Sequence, residues 1–497
     1  MKTFYITTTL PYVNAEPHVG FAMELIQADV IARYHVLMGD EVVFNTGTDE
    51  HGVKVYEKAL EQGKDPQAYA DEYAEKFRNL TKILNLSSTN FVRTTDSHHK
   101  KSAQEFWDLC LAKGDIYKAG YKIKYCTGCE LEKTDSELME GKCNIHPNLK
   151  IEEREEENYF FKFSKYQKPL LDFYESNPIF VVPDFRFNEI KKFVEGGLND
   201  FSISRLKSKM PWGVAVPNDS EQVIYVWFDA LINYVSTLGW PEDEKKFSDF
   251  WPGVQVAGKD NLRQQSAIWQ AMLMSAGLQN SKQILIHGFI NIDGQKMSKS
   301  LGNVANPIPL IEKYGVDVLR YFLLREIPST EDGDFSEEKL IARYNGDLAN
   351  GLGNLVARVA TLLDNNFNEG LEYDKSLISS ATISAIDKMQ SSYRISIDDF
   401  KLNEALVAIW ELISYADKYV NDTKPWALAK ENVEEFKSVM TNLVEMVYSI
   451  VKAITPFMPE TADKISAVFD FKKEEAPPEA GRLKVQKGAV LFPRLEN

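Results

Sequence analysis

The sequence predicts an α/β protein in which a parallel-sheet domain carries an insertion and is followed by a C-terminal α-helical bundle. The parallel sheet is predicted by a strand at residues 3–9, a helix at 18–38 and a second strand at 41–45. A strand, a helix and a strand in that order open a parallel sheet, whose ligands bind beyond the carboxyl ends of the strands. The insertion is indicated by a change of character at residues 116–218, and the bundle by helical patterning from about 336 to 468.

After the insertion the chain is expected to return to the sheet. Apolar runs at residues 223–228, 253–257 and 284–290 predict three more strands, and the spacing at 261–276 predicts a helix. Because ligands gather at strand ends, the loops that follow these strands are the first places to search for a site.

Composition limits the classes of partner. The chain has 57 Lys and Arg against 73 Asp and Glu, a net charge of −16. Coating of nucleic acid without specificity needs a broad basic surface, so that class is excluded and no DNA partner is expected, whereas binding of one structured RNA is not excluded. No apolar run approaches the ~20 residues that span a bilayer, and the N-terminus lacks a cleavage-site pattern. We therefore expect a cytoplasmic protein without membrane attachment.

Two short strings indicate nucleotide chemistry. Pro17-His18-Val19-Gly20-Phe21 opens the first helix, and Lys296-Met297-Ser298-Lys299-Ser300 follows a predicted strand. A helix N-terminus offers amide donors to phosphate, Gly20 permits close approach of a nucleotide, and His18 can donate to a phosphate oxygen. Lys296 and Lys299 can hold the β- and γ-phosphates of ATP as point charges. Either string alone would indicate only a loop, but together they predict ATP binding with attack of a carboxylate on the α-phosphate.

These strings resemble the two signature motifs of class I aminoacyl-tRNA synthetases. Neighbouring stretches are similar to the methionyl-tRNA synthetase family, in its short form with a single zinc knuckle, and these stretches are Leu10–Asn14, Gly47–Gly52, Val226–Tyr234, Gly258–Asp260 and His287–Phe289. The resemblance covers nearly the whole chain. It implies a ligase that activates L-methionine with ATP and Mg²⁺ and transfers it to tRNA(Met).

The resemblance also implies a division of the chain. The fold would be a Rossmann-like parallel-sheet catalytic domain with an inserted zinc-knuckle connective domain and a C-terminal α-helical bundle. The expected segments are 1–115 and 219–290 for the two halves of the catalytic domain, 116–218 for the insertion, 291–335 for a stem-contact region with the Lys296 loop, and 336–497 for the anticodon-binding domain.

Single residues receive roles from the same resemblance. Asp49 would hold the ammonium group of methionine, while Trp227 and Tyr234, which would otherwise be read as ordinary core, would line its side-chain slot. The predicted methionine-binding residues are Leu10, Tyr12, Asp49, Trp227, Ala230, Tyr234 and Gln265. The predicted ATP-binding residues are Pro11, Tyr12, Asn14, His18, Gly20, Phe21, Gly258, Asp260, Lys296, Ser298 and Lys299. The predicted catalytic residues are His18, Gly20, Lys296 and Lys299.

The chain departs from the family pattern at two places. Phe21 stands where the family has the second histidine of its first motif, and Gln264-Gln265 stands where the family usually has Phe-His. We hypothesise an active enzyme with altered affinity or rate. The departures keep two alternatives open: a class I synthetase for another aliphatic amino acid, and a catalytically weak tRNA-binding paralogue.

Cysteine spacing predicts a metal site. Cys126-x2-Cys129 is followed after thirteen residues by Cys143-x2-His146. Two short-spaced pairs can converge as a tetrahedral set of three thiolates and one imidazole, which suits one structural zinc ion. Cys110 stands apart and is expected in the core.

The helical C-terminal region resembles the anticodon-binding bundle of the family. Asn354 and Arg358 are four residues apart and share one helix face, where they can bond an unstacked base edge, and Trp426 can stack on another base. By resemblance these three residues read the CAU anticodon. Without the family resemblance, Asn354 and Arg358 would be interpreted as part of a solvent-exposed helix face, and Trp426 as a residue that anchors the start of a helix. A monomer is expected.

Overall fold

The computed structural model describes residues 2–14, 16–129, 131–133, 138–139, 141–297, 304–471, 481–486 and 490–495. The chain divides into two compact units. The first unit comprises residues 1–16, 41–79 and 88–286, and the second comprises 17–40, 80–87 and 287–497.

The helices and strands are as follows. In chain order the strands are β1 (Thr3–Thr8), β2 (Glu41–Thr48), β3 (Asn90–Arg93), β4 (Ile116–Cys126), β5 (Leu131–Glu132), β6 (Leu138–Met139), β7 (Lys142–Cys143), β8 (Ile151–Phe161), β9 (Val181–Val182), β10 (Phe201–Ser202), β11 (Ser204–Leu206), β12 (Ala215–Val216), β13 (Asp219–Ile224), β14 (Val254–Gly258), β15 (Gln283–His287), β16 (Ile290–Ile292), β17 (Gln295–Lys296), β18 (Gly333–Phe335), β19 (Leu371–Tyr373) and β20 (Gly481–Leu483). The helices are α1 (Val19–Leu37), α2 (Val53–Glu61), α3 (Pro66–Ile83), α4 (Ser97–Ala112), α5 (Gln167–Ser176), α6 (Asp184–Glu195), α7 (Val226–Leu231), α8 (Asn233–Ser236), α9 (Glu244–Phe250), α10 (Trp269–Ala276), α11 (Pro307–Tyr314), α12 (Val316–Arg325), α13 (Glu337–Arg343), α14 (Asn354–Asn366), α15 (Ser380–Asp398), α16 (Leu402–Thr423), α17 (Pro425–Glu431), α18 (Val433–Ile454) and α19 (Pro459–Phe469).

A parallel sheet with the order β3-β2-β1-β14-β15-β9 forms the centre of the first unit. Its inner strands are runs of β-branched and aromatic residues, which pack well on a sheet covered on both faces. Ile6 of β1 is opposite Phe44 of β2 on one side and Val254 of β14 on the other. The core of this unit includes the fully buried Trp107 and Trp269. The predicted parallel α/β sheet is confirmed.

The insertion has its own antiparallel sheets. Strands β4 and β8 pair along their whole length in a sheet of order β10-β8-β4-β5. The predicted sheet strand at 223–228 is wrong, because β13 ends at Ile224 in a small antiparallel sheet and residues 226–231 form helix α7. A short apolar run does not distinguish a buried strand from a buried helix by its periodicity.

The predicted strand at 284–290 is divided in two. Strand β15 ends at His287, and β16 begins at Ile290 in a separate sheet of order β17-β16-β18. Gly288 lies at the break, where a β-carbon would lie 2.2 Å from the carbonyl of Glu331. This close approach of two backbones requires glycine.

The second unit contains α1 and the helices from α11 to α19. The predicted helical region from about 336 to 468 is confirmed as α13 to α19. The buried guanidinium of Arg320 in α12 donates to Asp29 of α1 at 2.7 Å and to the carbonyls of Pro456 and Phe457 at 2.8 Å. One side chain therefore fixes the first helix of this unit to the turn that precedes α19. Among the described helices, none combines the length and apolar character needed to cross a bilayer.

Candidate active site

A cavity of about 210 Å³ in the first unit contains every residue predicted to bind methionine. The lining residues that were predicted are Leu10, Tyr12, Asn14, Asp49, Trp227, Ala230, Tyr234 and Gln265. Asp49 supplies a carboxylate, and most of the other members are apolar or aromatic. One cavity therefore combines a group that can pair with an ammonium ion and a slot for an apolar side chain.

The ends of β1 and β2 place Tyr12 and Asp49. Val13 N donates to the carbonyl of Asp49 at 3.1 Å, and Asp49 N donates to the carbonyl of Pro11 at 3.0 Å. These bonds continue the parallel pairing beyond the strands. Gly52 has a φ of +107°, and a β-carbon there would lie 2.2 Å from the hydroxyl of Tyr12. A glycine is required at this position so that the tyrosine can reach the Asp49 loop.

Gln265 lines the cavity and is held in place by hydrogen bonds to neighbouring side chains. It lies in a buried π-helical turn, Gln264–Ile268, and π turns are frequent at functional sites. Its Nε2 donates to the hydroxyl of Tyr234 at 2.7 Å, while its Oε1 accepts from Gln255 at 3.3 Å. Gln264 is also buried, and its Oε1 has no hydrogen-bond partner among the described residues.

A buried carboxylate lies behind the cavity. Asp229 of α7 is within 2.7 Å of His51 Nδ1 and 3.0 Å of His99 Nε2, and His99 Nδ1 is 2.9 Å from the hydroxyl of Ser236. Burial alone would raise the pKa of Asp229, but the charges and hydrogen bonds of the two imidazoles outweigh it and lower the pKa to about 2. Asp229 is therefore an anion at neutral pH.

The two signature strings meet in the second unit. His18 caps α1, because its Nδ1 accepts the backbone N–H of Phe21 at 3.3 Å. In the neutral ring the proton is then on Nε2, which makes this atom a donor. A β-carbon on Gly20 would lie 3.2 Å from the methyl group of Met297, so the second string packs against the first. Ser298 and Lys299 lie outside the described residues, as does the side chain of Lys296.

The predicted metal ligands converge in the insertion. One ligand atom from each of Cys126, Cys129, Cys143 and His146 lies within 4.8 Å of the others. Gly128 permits this approach, since a β-carbon there would lie 2.3 Å from Cγ of His146. Three sulfurs and one nitrogen at this spacing fit a closed tetrahedral zinc site.

Comparisons with known proteins identify the family of the chain. A family model described as tRNA synthetases class I (M) matches residues 4–152 and 128–360, and one described as anticodon-binding domain of tRNA ligase matches residues 381–482. A methionine–tRNA ligase of Thermotoga maritima is 45% identical over 478 residues, which are 95% of this chain and 76% of that protein. The chain belongs to the methionine–tRNA ligase family. It is a ligase of the class that forms aminoacyl-tRNA.

Further relatives of the ligase extend over its full length. A methionine–tRNA ligase of Brucella suis is 39% identical and covers 99% of this chain and 98% of that protein. A solved structure, Mycobacterium tuberculosis methionyl-tRNA synthetase in complex with methionyl-adenylate, has a TM-score of 0.93 at 37% identity and covers 99% of this chain and 100% of that chain. The predicted family and fold class are confirmed.

The predicted anticodon residues of the ligase lie in the second unit. Asn354 is exposed at the start of α14, and Arg358 follows one turn later. Arg358 donates to the side chain of Asn421 at 2.8 Å and lies 3.6 Å from Asp417. Trp426 at the start of α17 is 49% exposed, an unusually high value for a tryptophan. Helices α14 and α17 are in contact.

Some cavity residues of the ligase were not predicted. Pro11, Gly258 and Asp260 do not line the cavity, whereas Asn261, the neighbour of Asp260, does. The unpredicted lining residues are Thr9, Lys54, Gly128, Cys129, Val226, Leu231, Asn233 and Asn261. Lys54 of α2 donates to the carbonyl of Gly128 at 3.2 Å and thereby connects the metal-ligand cluster to the cavity. Its position directly after the Asp49 loop was the available signal in the sequence.

Proposed function

We propose that the chain activates L-methionine with ATP to form methionyl-adenylate and then transfers the methionyl group to tRNA(Met). The observation that carries this proposal is the single cavity that holds Asp49 together with Trp227, Ala230, Tyr234 and Gln265. A zwitterionic amino acid with a long apolar side chain matches that combination. Family membership supports the same reaction.

Methionine binds with its ammonium group at Asp49. Its thioether lies among Leu10, Trp227 and Tyr234, because sulfur contacts favourably with aromatic rings. The Gln265 amide holds the Tyr234 hydroxyl in place from behind. Tyr12 and Ala230 complete the slot.

ATP is bound by the two signature strings and by the loops after β1 and β14. His18 donates from Nε2 to a phosphate oxygen, and the N-terminus of α1 adds backbone N–H donors. Lys296 and Lys299 hold the β- and γ-phosphates together with Mg²⁺. The remaining proposed contacts are Pro11, Tyr12, Asn14, Gly20, Phe21, Gly258, Asp260 and Ser298.

The reaction needs no covalent bond to a side chain. The carboxylate of methionine attacks the α-phosphorus, and pyrophosphate leaves. A hydroxyl of the 3′-terminal ribose of the tRNA then attacks the methionyl carbonyl, and AMP leaves. The protein supplies orientation and stabilises the charge that develops on the phosphate oxygens.

The cluster of Cys126, Cys129, Cys143 and His146 binds one zinc ion. These four side chains would supply all the ligands that a zinc ion needs and leave no position for a substrate, so the ion would have a structural role in the insertion. Asn354, Arg358 and Trp426 contact the CAU anticodon through base edges and stacking. The five-segment division, the monomeric state and a cytoplasmic location belong to the same proposal.

Amino-acid-dependent exchange of pyrophosphate into ATP tests the function with each of the twenty amino acids. We expect exchange with methionine at least about 100-fold above every other amino acid. If exchange occurs with another aliphatic amino acid and not with methionine, that amino acid is the substrate and the proposed specificity is wrong. A folded, tRNA-binding chain without exchange would identify a non-catalytic paralogue.

A further inference from the structure

Four polar side chains form a buried network behind the cavity wall. Asp229, His51, His99 and Ser236 are each nearly inaccessible to solvent, and none of them lines the cavity. They come from α7, the end of β2, α4 and α8. The four residues are therefore neither lining residues of the cavity nor surface groups.

The hydrogen-bond directions in the network are determined by the carboxylate. An ionised carboxylate only accepts, so His51 donates to it from Nδ1 and His99 donates from Nε2. The other ring nitrogen of His99, Nδ1, is 2.9 Å from the hydroxyl of Ser236. The side chains of Asp229, His51, His99 and Ser236 thus each have at least one polar partner within the network.

The network joins the two parts of the cavity that bind opposite ends of an amino acid. His51 is two residues after Asp49, and Asp229 lies on α7 between the lining residues Trp227 and Ala230. A carboxylate held by both imidazoles fixes α7 relative to the Asp49 loop. The His51 ring also packs against Trp212 in an edge-to-face arrangement. The Nε1 of Trp212 donates to the carbonyl of Glu50, the residue before His51, at 2.6 Å.

We infer that Asp229, His51, His99 and Ser236 are positioning residues that set the distance between Asp49 and the Trp227–Ala230 wall, and so determine the affinity for methionine. This inference rests on the proposed function of the cavity. The network is expected to change amino-acid binding more than ATP binding, because it contacts the Asp49 loop and α7 directly and reaches the proposed ATP contact Tyr12 only through Asp49.

The first unit offers a matched comparison. Asp115 is a second buried carboxylate, and it accepts from Ser275 at 2.9 Å, from Tyr166 and from Lys165. None of these residues lines the cavity. A network that merely stabilises the fold would behave like the Asp115 cluster, whereas a positioning network would change methionine binding selectively.

The experiment compares Ser236→Ala with Ser275→Ala in the full-length chain. Each variant removes one hydroxyl from a buried carboxylate network, so both are expected to fold, and thermal unfolding checks this. We expect Ser236→Ala to raise the KM and Kd for methionine about fivefold and to leave the KM for ATP within twofold, since one lost hydrogen bond corresponds to about 1 kcal/mol. Ser275→Ala is expected to leave both constants within twofold.

Two substitutions of His99 test the direction of the bonds. His99→Leu removes the donor to Asp229 and is expected to raise the methionine KM more than tenfold. His99→Gln restores an N–H at the position of Nε2 and is expected to return the KM to within about threefold of the wild type.

Either of two results would overturn the inference: an unchanged methionine KM in Ser236→Ala and His99→Leu, or equal changes in the KM values for methionine and ATP. If the wild-type chain activates another amino acid, the proposed function fails separately. The KM and Kd for that amino acid, measured in the same variants, then show whether the network of Asp229, His51, His99 and Ser236 positions the cavity.

Discussion

Single side chains set the polarity of the amino-acid cavity. Gln265 stands where the family pattern has a histidine, and its amide Nε2 donates to the Tyr234 hydroxyl at 2.7 Å. Gln264 replaces an aromatic ring with an amide whose buried oxygen has no partner among the described residues. A buried polar atom without a partner lowers stability by about 1–3 kcal/mol. Gln264 is therefore expected to destabilise the cavity wall, whereas Gln265 stabilises it through its hydrogen bonds.

The double substitution Gln264→Phe with Gln265→His is expected to lower the methionine KM about three- to tenfold. The phenyl ring removes the buried, unpartnered oxygen next to Gln265, and the imidazole keeps a donor for Tyr234. Steady-state pyrophosphate exchange measures the change. Gln265→Leu is the control and is expected to raise the KM about fivefold, because Tyr234 loses its 2.7 Å donor. A double variant no better than the wild type would contradict this account.

Phe21→His is expected to raise the rate of methionine activation about tenfold. Phe21 lies one turn from the N-terminus of α1, next to the cap formed by His18. An imidazole there adds a donor for phosphate charge, and single donors of this kind contribute about 10²–10³ to rate. The measurement is the exchange rate at saturating ATP, with Phe21→Leu as the apolar control. Equal rates for the histidine and leucine variants would show that this position does not contact phosphate.

At the scale of elements, runs that form one strand or one helix were predictable, and a run that changes from strand to helix was not. Strands β1 and β2 and helix α1 follow from their hydrophobic runs, and the cavity residues at the ends of β1 and β2 follow from the topology. The run at 223–228 was misassigned because it divides between a strand and a helix. His99 and His51 reach Asp229 across 130 and 178 residues of chain, and single-sequence periodicity carries no information on such pairs.

Protonation of Asp229 is expected to loosen α7 in acid. Its pKa is lowered to about 2, below the unfolded value of about 3.9, so it stabilises the fold above pH 4 and loses this contribution as the pH falls toward 2. The difference in Tm between the wild type and Asp229→Asn should therefore be largest near pH 6 and shrink below pH 4. The control is Asp172→Asn, which removes an exposed carboxylate that pairs with Lys168. Its Tm is expected to differ from that of the wild type by a small amount at every pH. A difference that grows in acid would contradict the assignment.

The cluster of Cys126, Cys129, Cys143 and His146 allows a direct test of the proposed zinc site. We expect about one zinc per chain in the wild type and less than about 0.1 in Cys143→Ser, because a structural site loses its affinity when one of four ligands is removed. Elemental analysis of the purified proteins measures the content. Cys110→Ser changes a buried cysteine outside the cluster and should retain the metal. Retention of zinc by Cys143→Ser would exclude the proposed ligand set.

For the molecule as a whole, the proposed methionine site and the proposed anticodon residues lie in different units of the chain. The amino-acid cavity is built from the first unit, whereas Asn354, Arg358 and Trp426 belong to the second. The sequence predicted the anticodon residues only through the family resemblance, because an Asn-Arg pair on a helix has no distinctive local pattern. Arg358 is also engaged with Asn421 and Asp417. Binding of a base would therefore exchange one hydrogen bond for another and favour the correct base over others.

Substitutions at Arg358 and Trp426 should consequently separate the two steps of the reaction. Arg358→Ala and Trp426→Ala are each expected to lower kcat/KM for aminoacylation of tRNA(Met) about 10- to 100-fold, since stacking and base-edge bonds contribute about 1–3 kcal/mol per base. Methionine-dependent exchange without tRNA should stay within twofold of the wild type. Lys437→Ala removes a cation of α18 that pairs with Glu372 and serves as the control for charge alone. Equal losses in exchange and aminoacylation would show that these residues support the fold and do not read the anticodon.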